Sequence, residues 1–232
     1  MKSLHFRFLR FPIEVHPIAW IVLGFILLSR ASGGPSALLG GVVLAVVLFV
    51  SILVHELGHG LVARGFHLGP VQITIHGFGG LTTHRRSPSP GRSMLVTAAG
   101  PAAGLLLGGV SLAIYLPLVL AGFTEGLSST SPMGLLVELL DKLVWVNIFW
   151  SLFNLLPMAP LDGGQLLDAG LVLLGVKPIA AHKAVAVISI GLAVLVAIGA
   201  IYSGWWFMIF VAFLVLQRNL PALGVSLGGR RL

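Results

Sequence analysis

The sequence lacks cysteine and has few charged residues of either sign. No Cys occurs among the 232 residues, so disulfide bonds and thiolate chemistry are excluded. Only 9% of the residues are charged, whereas a typical soluble domain has roughly 25%. The chain therefore cannot cover an ordinary water-exposed surface, and a sizeable soluble domain is excluded as well.

Apolar residues take the place of the missing charge. They make up 57% of the chain, and the mean hydropathy is +1.04. The length suits about six spans of about 20 residues each, which predicts an all-α polytopic membrane protein. We expect a single membrane domain over residues 1–232, with a core at about 14–170 and C-terminal helices at about 183–217. The apolar runs place the spans near residues 13–29, 37–64, 94–120, 135–157, 183–202 and 204–217.

The positive net charge of the chain has two explanations. A formal charge of +7 is compatible with nucleic-acid binding, but Lys and Arg also accumulate in the cytoplasmic loops of membrane proteins. With six spans and a cytoplasmic N-terminus, every Lys and Arg except Arg30 and Lys142 falls on the cytoplasmic side. We therefore predict a multi-pass protein of the cell membrane with both termini cytoplasmic, and no nucleic-acid partner.

A short segment after the second span differs from both spans and loops. Residues 71–75 and 81–83 are β-branched or alternating, and Gly77, Gly79 and Gly80 lie between them. This pattern predicts a small membrane-associated β-hairpin. Strand backbone is tolerated at membrane depth only where protein or water satisfies its polar groups. We therefore expect the hairpin at the mouth of a cavity.

The second span contains the motif His55-Glu56-Leu57-Gly58-His59. On a helix the two histidines project from one face, where they can bind one zinc ion while Glu56 reaches a zinc-bound water. Ionisable residues are expensive within a membrane span and usually functional there. With a rise of ~1.5 Å per residue, His55 lies about 13 Å from the cytoplasmic boundary marked by Arg64. The alternative is a hydrogen-bonded polar cluster that only holds helices together.

A catalytic zinc site usually needs a third protein ligand, and few acidic residues are available. Asp162 follows the helix-breaking residues Pro157 and Pro160, at the same side of the membrane as His55 in the predicted topology. We expect the adjacent Gly163 and Gly164 to form a tight turn that aims the carboxylate at the metal. Asp168 is left open as a surface or supporting residue. The remaining acids lie at or beyond span ends and are interpreted as interfacial: Glu14, Glu125, Glu138 and Asp141.

Four motifs in this order resemble the site-2 protease family of intramembrane zinc metalloproteases. They are HELGH in the second span, Phe78-Gly79-Gly80 in the hairpin, Ala99-Gly100-Pro101 at the start of the third span, and NLLPMAPLDGG after the fourth. The resemblance extends from about residue 14 to 170. Together with Val15-His16-Pro17, the layout is similar to that of the compact bacterial members.

The resemblance implies a complete set of site residues. His55, His59 and Asp162 would bind one zinc ion per chain, and Glu56 would be the general base. Asn154 would support the site or the substrate, and the hairpin with Gly79 and Gly80 would hold an unwound substrate helix as an added strand. The implied activity is hydrolysis of peptide bonds in or near transmembrane segments. The implied partners are a transmembrane protein substrate and membrane lipids, and formation of a homo-oligomer is left open.

The sequence departs from the family pattern in three respects. Gly104 stands where many members have Asn. No PDZ module is expected, because the loop at 121–134 is too short for one, and no nucleotide-sensing pair of domains is expected after the sixth span. The alternative function is a metal-binding membrane transporter or channel without protease activity, which would conduct ions and leave peptide bonds intact.

Overall fold

A computed structural model of the chain describes residues 2–77, 79–128 and 130–225, and only the backbone of Phe207. The chain forms two compact units. The first comprises the residues up to Arg86 together with Ala99–Leu152. The second comprises Ser87–Ala98 together with the described residues from Phe153 onward.

Four helices precede the break at Pro157. They are α1 (Pro17–Ala31), α2 (Gly34–Gly65), α3 (Pro90–Leu120) and α4 (Pro132–Asn154). At the start of α1, Pro17 occupies the first turn and Nδ1 of His16 accepts a hydrogen bond from the backbone N–H of Ile18. Both features favour helix initiation. The 32 residues of α2 make it about 48 Å long.

The N-terminal segment and the segment after α2 together form a four-stranded sheet. Its strands are β1 (Leu4–Phe8), β2 (Phe11–Val15), β3 (Gln72–His76) and β4 (Gly79–Thr83). The strand order is β1-β2-β3-β4, and all neighbours are antiparallel except the parallel pair β2–β3. The pair β3–β4 confirms the predicted hairpin, although Phe78 of its motif lies outside the described residues.

The predicted start of the first span is wrong. Residues 13–15 belong to β2, and the helix begins only at Pro17. The backbone of β2 is engaged by β3, and the N–H of His16 continues this pairing by donating to the carbonyl of Ile75. The sequence analysis also missed β1, although Leu4, Phe6 and Phe8 alternate there with polar residues.

The β1–β2 connection is a two-residue turn with an unusual composition. Leu9 and Arg10 have φ values of 48° and 67°, in the left-handed region. Such turns favour Asn-Gly, since a larger side chain in this conformation costs roughly 1–2 kcal/mol per residue. Arg64 of α2 supports the turn, because its Nη1 donates to the carbonyl of Leu9 at 2.8 Å and its guanidinium stacks 4.2 Å from the ring centroid of Phe11.

The second unit contains the C-terminal helices. They are α5 (Asp162–Leu173), α6 (Pro178–Ser203) and α7 (Trp206–Asn219), followed by a 3-10 turn at Leu220–Leu223. The predicted boundary between the spans at 183–202 and 204–217 is confirmed. Helix α6 ends at Ser203, and Gly204 follows it with a φ of 72°. The buried core of this unit is built from Met158, Ala193, Ala212 and Val215.

The mostly helical membrane architecture is confirmed. Among the described residues, α2, α3 and α6 are long and apolar enough to cross a membrane. The apolar helices α1 and α7 are shorter. Helix α4 has 23 residues but carries Glu138, Asp141 and Lys142, so its uninterrupted apolar stretch is limited to its C-terminal half. The expected six spans correspond to α1–α4, α6 and α7.

Candidate functional site

The two histidines of the motif lie close together on one face of α2. Their exposed fractions are 4% for His55 and 9% for His59. The two Nε2 atoms are 3.2 Å apart, and the ring centroids are 4.8 Å apart. Because residues four apart are neighbours on a helix surface, the two ring nitrogens converge on one point beside the helix.

This arrangement of nitrogens fits a shared zinc ion. Two Zn–N bonds of about 2.05 Å at a tetrahedral angle hold the nitrogens about 3.3 Å apart, close to the separation observed. Gly100 of α3 keeps the space in front of the rings open. A Cβ at position 100 would overlap Nε2 of His59 and lie 2.8 Å from Nε2 of His55. Both the donor geometry and the missing side chain are therefore compatible with a bound metal.

Glu56 is buried beside the histidines and is held by the sheet. Its exposed fraction is 5%. The Thr82 hydroxyl on β4 lies 2.7 Å from Oε2 of Glu56 and 3.0 Å from the backbone carbonyl oxygen of Glu56. The hydroxyl has one proton, so it donates to one of these oxygens at a time. A hydrogen bond to the carboxylate restricts its rotation and leaves Oε1 for another partner.

The glycines of β4 allow the strand to approach the HELGH motif. A Cβ at Gly80 would overlap Cγ of Glu56 and lie 2.6 Å from its carboxylate carbon. Gly79 has a φ of 143°, a conformation that side chains rarely adopt, and its Cβ position lies 3.6 Å from the Trp150 ring. The two glycines thus serve different purposes: Gly80 provides space, and Gly79 provides backbone freedom.

A second polar cluster lies one helical turn before the histidines. Nδ2 of Asn147 on α4 donates to the hydroxyl of Ser51 on α2 at 2.9 Å, and both residues are buried. Ser51 precedes His55 by four residues, so both lie on the same face of α2. This hydrogen bond ties α4 to the face of α2 that bears the motif.

Glycines of α2 and α3 allow close contacts between helices. A Cβ at Gly58 of α2 would overlap the carbonyl of Ala99, so α2 and α3 touch through backbone atoms. A Cβ at Gly104 would overlap the hydroxyl of Ser151 on α4, a fully buried group without a hydrogen-bond partner among the described residues. The departure from Asn at position 104 is thus matched by Ser151, which occupies the adjacent space.

Asp162 lies in the second unit, where it is the first residue of α5. It is buried, with an exposed fraction of 7%, and an acidic side chain in the first turn of a helix is favoured by the helix dipole. The expected tight turn at Gly163 and Gly164 is wrong, since both residues belong to the first turn of α5. Their small size is required instead by packing, because a Cβ on either would overlap backbone atoms of the preceding loop.

The loop before α5 is held by two polar side chains of its own unit. Ser189 of α6 accepts a hydrogen bond from the backbone N–H of Ala159 at 2.8 Å. Nδ2 of Asn219 donates to the carbonyl of the same residue at 2.8 Å. These contacts fix the segment between Asn154, the last residue of α4, and Asp162. The sequence analysis assigned no role to Ser189 or Asn219.

Among the described residues, the other histidines of the first unit belong to no group of three or more potential metal ligands. His16 caps α1, and its ring centroid is 5.4 Å from that of His76 at the end of β3. His5 faces Glu14 at 3.9 Å across the β1–β2 pair. Nδ1 of His84 lies 2.9 Å from the carbonyl of Arg85. Each of these contacts accounts for its histidine without a metal.

Sequence reasoning missed Thr82, which contacts the motif, and the pair Ser51 and Asn147, which lies one helical turn before it. Ser51 could have been found from the four-residue spacing that it shares with His55 and His59. Thr82 and Asn147 carry no such signal, because their contacts depend on which strand and which helix pack against α2.

Residues 43–198 match the family model described as Peptidase family M50. A protein of Synechocystis sp. that is provisionally named a zinc metalloprotease is 35% identical over 168 residues, which cover 68% of this chain and 41% of that protein. Rip3 of Mycobacterium tuberculosis, also provisionally named a zinc metalloprotease, is 34% identical over 183 residues, which cover 72% of this chain and 44% of that protein. The matched part thus spans less than half the length of these curated relatives.

A solved structure is similar over the whole chain. The site-2 protease from Methanocaldococcus jannaschii superposes with a TM-score of 0.63 at 25% sequence identity. The match covers 100% of this chain and 99% of that chain.

Proposed function

Because the chain belongs to peptidase family M50, we propose that it is an intramembrane zinc metalloprotease that hydrolyses peptide bonds in or near transmembrane segments. The main supporting observation is the buried pair of imidazole nitrogens 3.2 Å apart, with Glu56 between the two histidines in a 32-residue apolar helix. The relatives named as zinc metalloproteases support zinc as the cofactor, one ion per chain.

Glu56 is proposed as the general base and acid of the reaction. Zinc, when bound, supplies Lewis acidity and lowers the pKa of a coordinated water. The Glu56 carboxylate accepts a proton from the attacking water as the water oxygen bonds to the substrate carbonyl carbon. It then gives this proton to the peptide nitrogen as the C–N bond breaks. Thr82 holds the carboxylate in position through the 2.7 Å hydrogen bond.

Asp162 is proposed as the third metal ligand. Catalytic zinc sites usually have three protein ligands and one open position, and the histidine pair supplies two of them. A buried carboxylate at a helix start, with its preceding loop fixed by Ser189 and Asn219, is suited to hold a rigid ligand position. Asn154 is proposed to support the site or the substrate backbone.

The substrate is proposed to bind along β4. This strand lies at one edge of the sheet, and Gly79 and Gly80 bring it next to Glu56. A helical peptide bond is shielded from attack, whereas a peptide added to a sheet edge is extended and accessible. The proposed partners are therefore a transmembrane protein substrate and the surrounding lipids.

The proposed location is the cell membrane, with both termini cytoplasmic. All described Lys and Arg residues except Arg30 and Lys142 fall on the cytoplasmic side of that topology, as expected from the positive-inside rule. Residues 1–232 would then act as one membrane-embedded protease domain, and formation of a homo-oligomer is left open.

The role of Glu56 is tested by Glu56→Gln, which keeps the side-chain shape and removes the base. We expect the purified variant to bind zinc like the wild type and to cleave a helical membrane substrate about 10²–10⁴-fold more slowly. The alternative function, transport, is tested with the same preparations in liposomes. Undiminished cleavage by the variant would refute the assigned role, and ion flux without cleavage by the wild type would favour a transporter.

The role of Asp162 is tested by comparing Asp162→Ala with Asp168→Ala, both on α5. We expect loss of zinc from the Asp162 variant, since one of three protein ligands is removed, and normal zinc content in the Asp168 variant. Metal analysis of the purified proteins measures this directly. Wild-type zinc content in the Asp162→Ala variant would remove Asp162 from the ligand set and leave the role of Glu56 intact.

A further inference from the structure

The N-terminal hairpin, defined as β1, the Leu9–Arg10 turn and β2, has two chemically different faces. In the strand register, Leu4, Phe6 and Phe8 lie opposite Val15, Ile13 and Phe11. Paired residues project from the same face of a sheet, so all six form one apolar face. The opposite face carries polar residues of both strands, namely His5, Arg7 and Glu14.

Only half of the apolar face is covered by protein. Phe11, Ile13 and Val15 on β2 are at most 1% exposed. On β1, Leu4 and Phe8 are 50% and 47% exposed, and Leu9 in the turn is 53% exposed. Helix α2 contacts β3 and β4, whereas β1 is the far edge of the sheet. Neighbouring strands are about 4.8 Å apart, so β1 extends laterally beyond the helix that covers the sheet.

Contacts to α2 indicate the depth of the hairpin relative to the membrane. Arg64, in the last turn of α2, binds the carbonyl of Leu9 and stacks on Phe11. The Phe11 ring also lies 3.4 Å from the Cβ position of Gly60, one turn further into the helix. The hairpin therefore lies level with the end of a membrane-spanning helix, where headgroups meet hydrocarbon.

We propose that the N-terminal hairpin lies in the headgroup layer of an anionic membrane leaflet, with Leu4, Phe8 and Leu9 in contact with lipid. Charge complementarity supports this occupant, because the exposed Lys2 precedes β1 and the exposed Arg10 and Arg64 lie in or against the turn at its other end. The one acid of the hairpin, Glu14, lies on the opposite face and is engaged by His5 and Gln72. Basic side chains beside an apolar surface attract anionic lipids.

The strained turn is explained by the same proposal. Asn-Gly would satisfy the backbone of a two-residue turn, but it would bring neither an apolar nor a cationic side chain to the tip. Leu9 and Arg10 bring both and are held in a left-handed conformation that Arg64 supports. Strained residues persist where the surrounding structure fixes them and often mark functional positions. The inference does not depend on the proposed protease activity.

The absence of cysteine from the chain makes the test direct, since one introduced cysteine gives one label. Phe8→Cys and Arg7→Cys are neighbours on opposite faces of β1, and each can carry the environment-sensitive fluorophore NBD. The full chain is placed in nanodiscs of phosphatidylcholine with or without phosphatidylglycerol. In the anionic discs we expect the Phe8 label to emit at shorter wavelength, to be quenched by shallow doxyl-labelled lipid and to be shielded from iodide. The Arg7 label should be quenched by iodide instead.

Three results would overturn the proposal. Equal iodide quenching of the two labels would mean that the hairpin stands in water. Shielding of the Phe8 label that rises with protein concentration, without quenching by doxyl lipid, would identify a second copy of the chain as the occupant. Equal lipid quenching in both disc types, unchanged by Arg10→Gln, would remove the preference for anionic lipid. Loss of quenching in Arg10→Gln only in the anionic discs would support it.

Discussion

The two edges of the sheet differ in the size of the side chains that they present. At β4, Gly79 and Gly80 allow the strand to reach Glu56, and Thr82 donates to the Glu56 carboxylate. At β1, the side chains of Leu4 and Phe8 are about half exposed. The two glycines lie where β4 must approach Glu56, whereas the apolar side chains of β1 lie where we propose contact with lipid. Leu81 is the one large apolar residue of β4, and it is 53% exposed. Substitutions should therefore affect catalysis at β4 and little beyond membrane contact at β1.

Among substitutions at the two sheet edges, the largest loss of activity is expected from Gly80→Ala. The added methyl group overlaps Glu56 and must displace either the strand or the carboxylate. Since misplacement of a catalytic group by about 1 Å costs about 10²-fold in rate, cleavage of a membrane substrate should fall by about that factor. Zinc content should stay normal, because the three atoms nearest to the added methyl group all belong to Glu56.

A matched control for this variant is Gly24→Ala on α1, where a Cβ meets nothing within 4 Å. This control should cleave like the wild type. Wild-type activity in Gly80→Ala would show that β4 does not pack against Glu56 in the working enzyme.

A smaller effect is expected from Thr82→Val, which keeps the side-chain shape and removes the hydroxyl. A hydrogen bond to a charged group contributes about 1.5–3 kcal/mol, so we expect kcat to fall by about tenfold or more with KM unchanged. Thr82→Ser should restore most of the activity. Thr83→Val is the control, because its hydroxyl faces the other way and donates to the carbonyl of Gln72. A fall in kcat of equal size in both valine variants would argue against a specific role for Thr82.

The smallest effect is expected at the other edge, from the double change Leu9→Asn with Arg10→Gly. Relief of the left-handed strain should stabilise the protein by about 1 kcal/mol. The thermal unfolding midpoint in detergent should rise, and cleavage in detergent should be unchanged. Lys2→Gln removes a charge before the start of β1, at the opposite end of the strand from the turn, and should leave the midpoint unchanged. A lower midpoint in the double variant would mean that the native side chains stabilise the turn.

The motif on α2 could be predicted from sequence because its geometry is local. A four-residue spacing on a helix brings His55 and His59 together regardless of the rest of the fold. The β3–β4 hairpin was also predictable, since β-branched residues flank a glycine cluster over a short distance. The contact between Thr82 and Glu56 was not, because it requires both the register of β4 and the packing of the sheet on α2.

Two errors of the sequence analysis have the same cause. Ile13 and Val15 are apolar and directly precede an apolar helix, so hydropathy merges β2 with the first span. Gly163 and Gly164 are turn formers in isolation, yet close packing against backbone places them within α5. In both cases hydropathy or intrinsic preference was overruled by packing: β2 pairs with the distant strand β3, and the two glycines pack against the backbone of the loop directly before α5. The role of Asp162 remains a prediction.

The length of α2 makes the depth of the histidine pair a function of bilayer thickness. His55 lies 21 residues after Gly34, about 31 Å along the axis, and Arg64 lies about 13 Å beyond it. The hydrocarbon layer is only about 30 Å thick, so the helix exceeds it by roughly half. Tilting or local thickening of the bilayer must absorb the excess. In the proposed topology Arg64 marks the inner boundary and the histidines lie about 13 Å from it. A thinner membrane then brings its midplane closer to the histidines, while a thicker one leaves them further towards the inner surface.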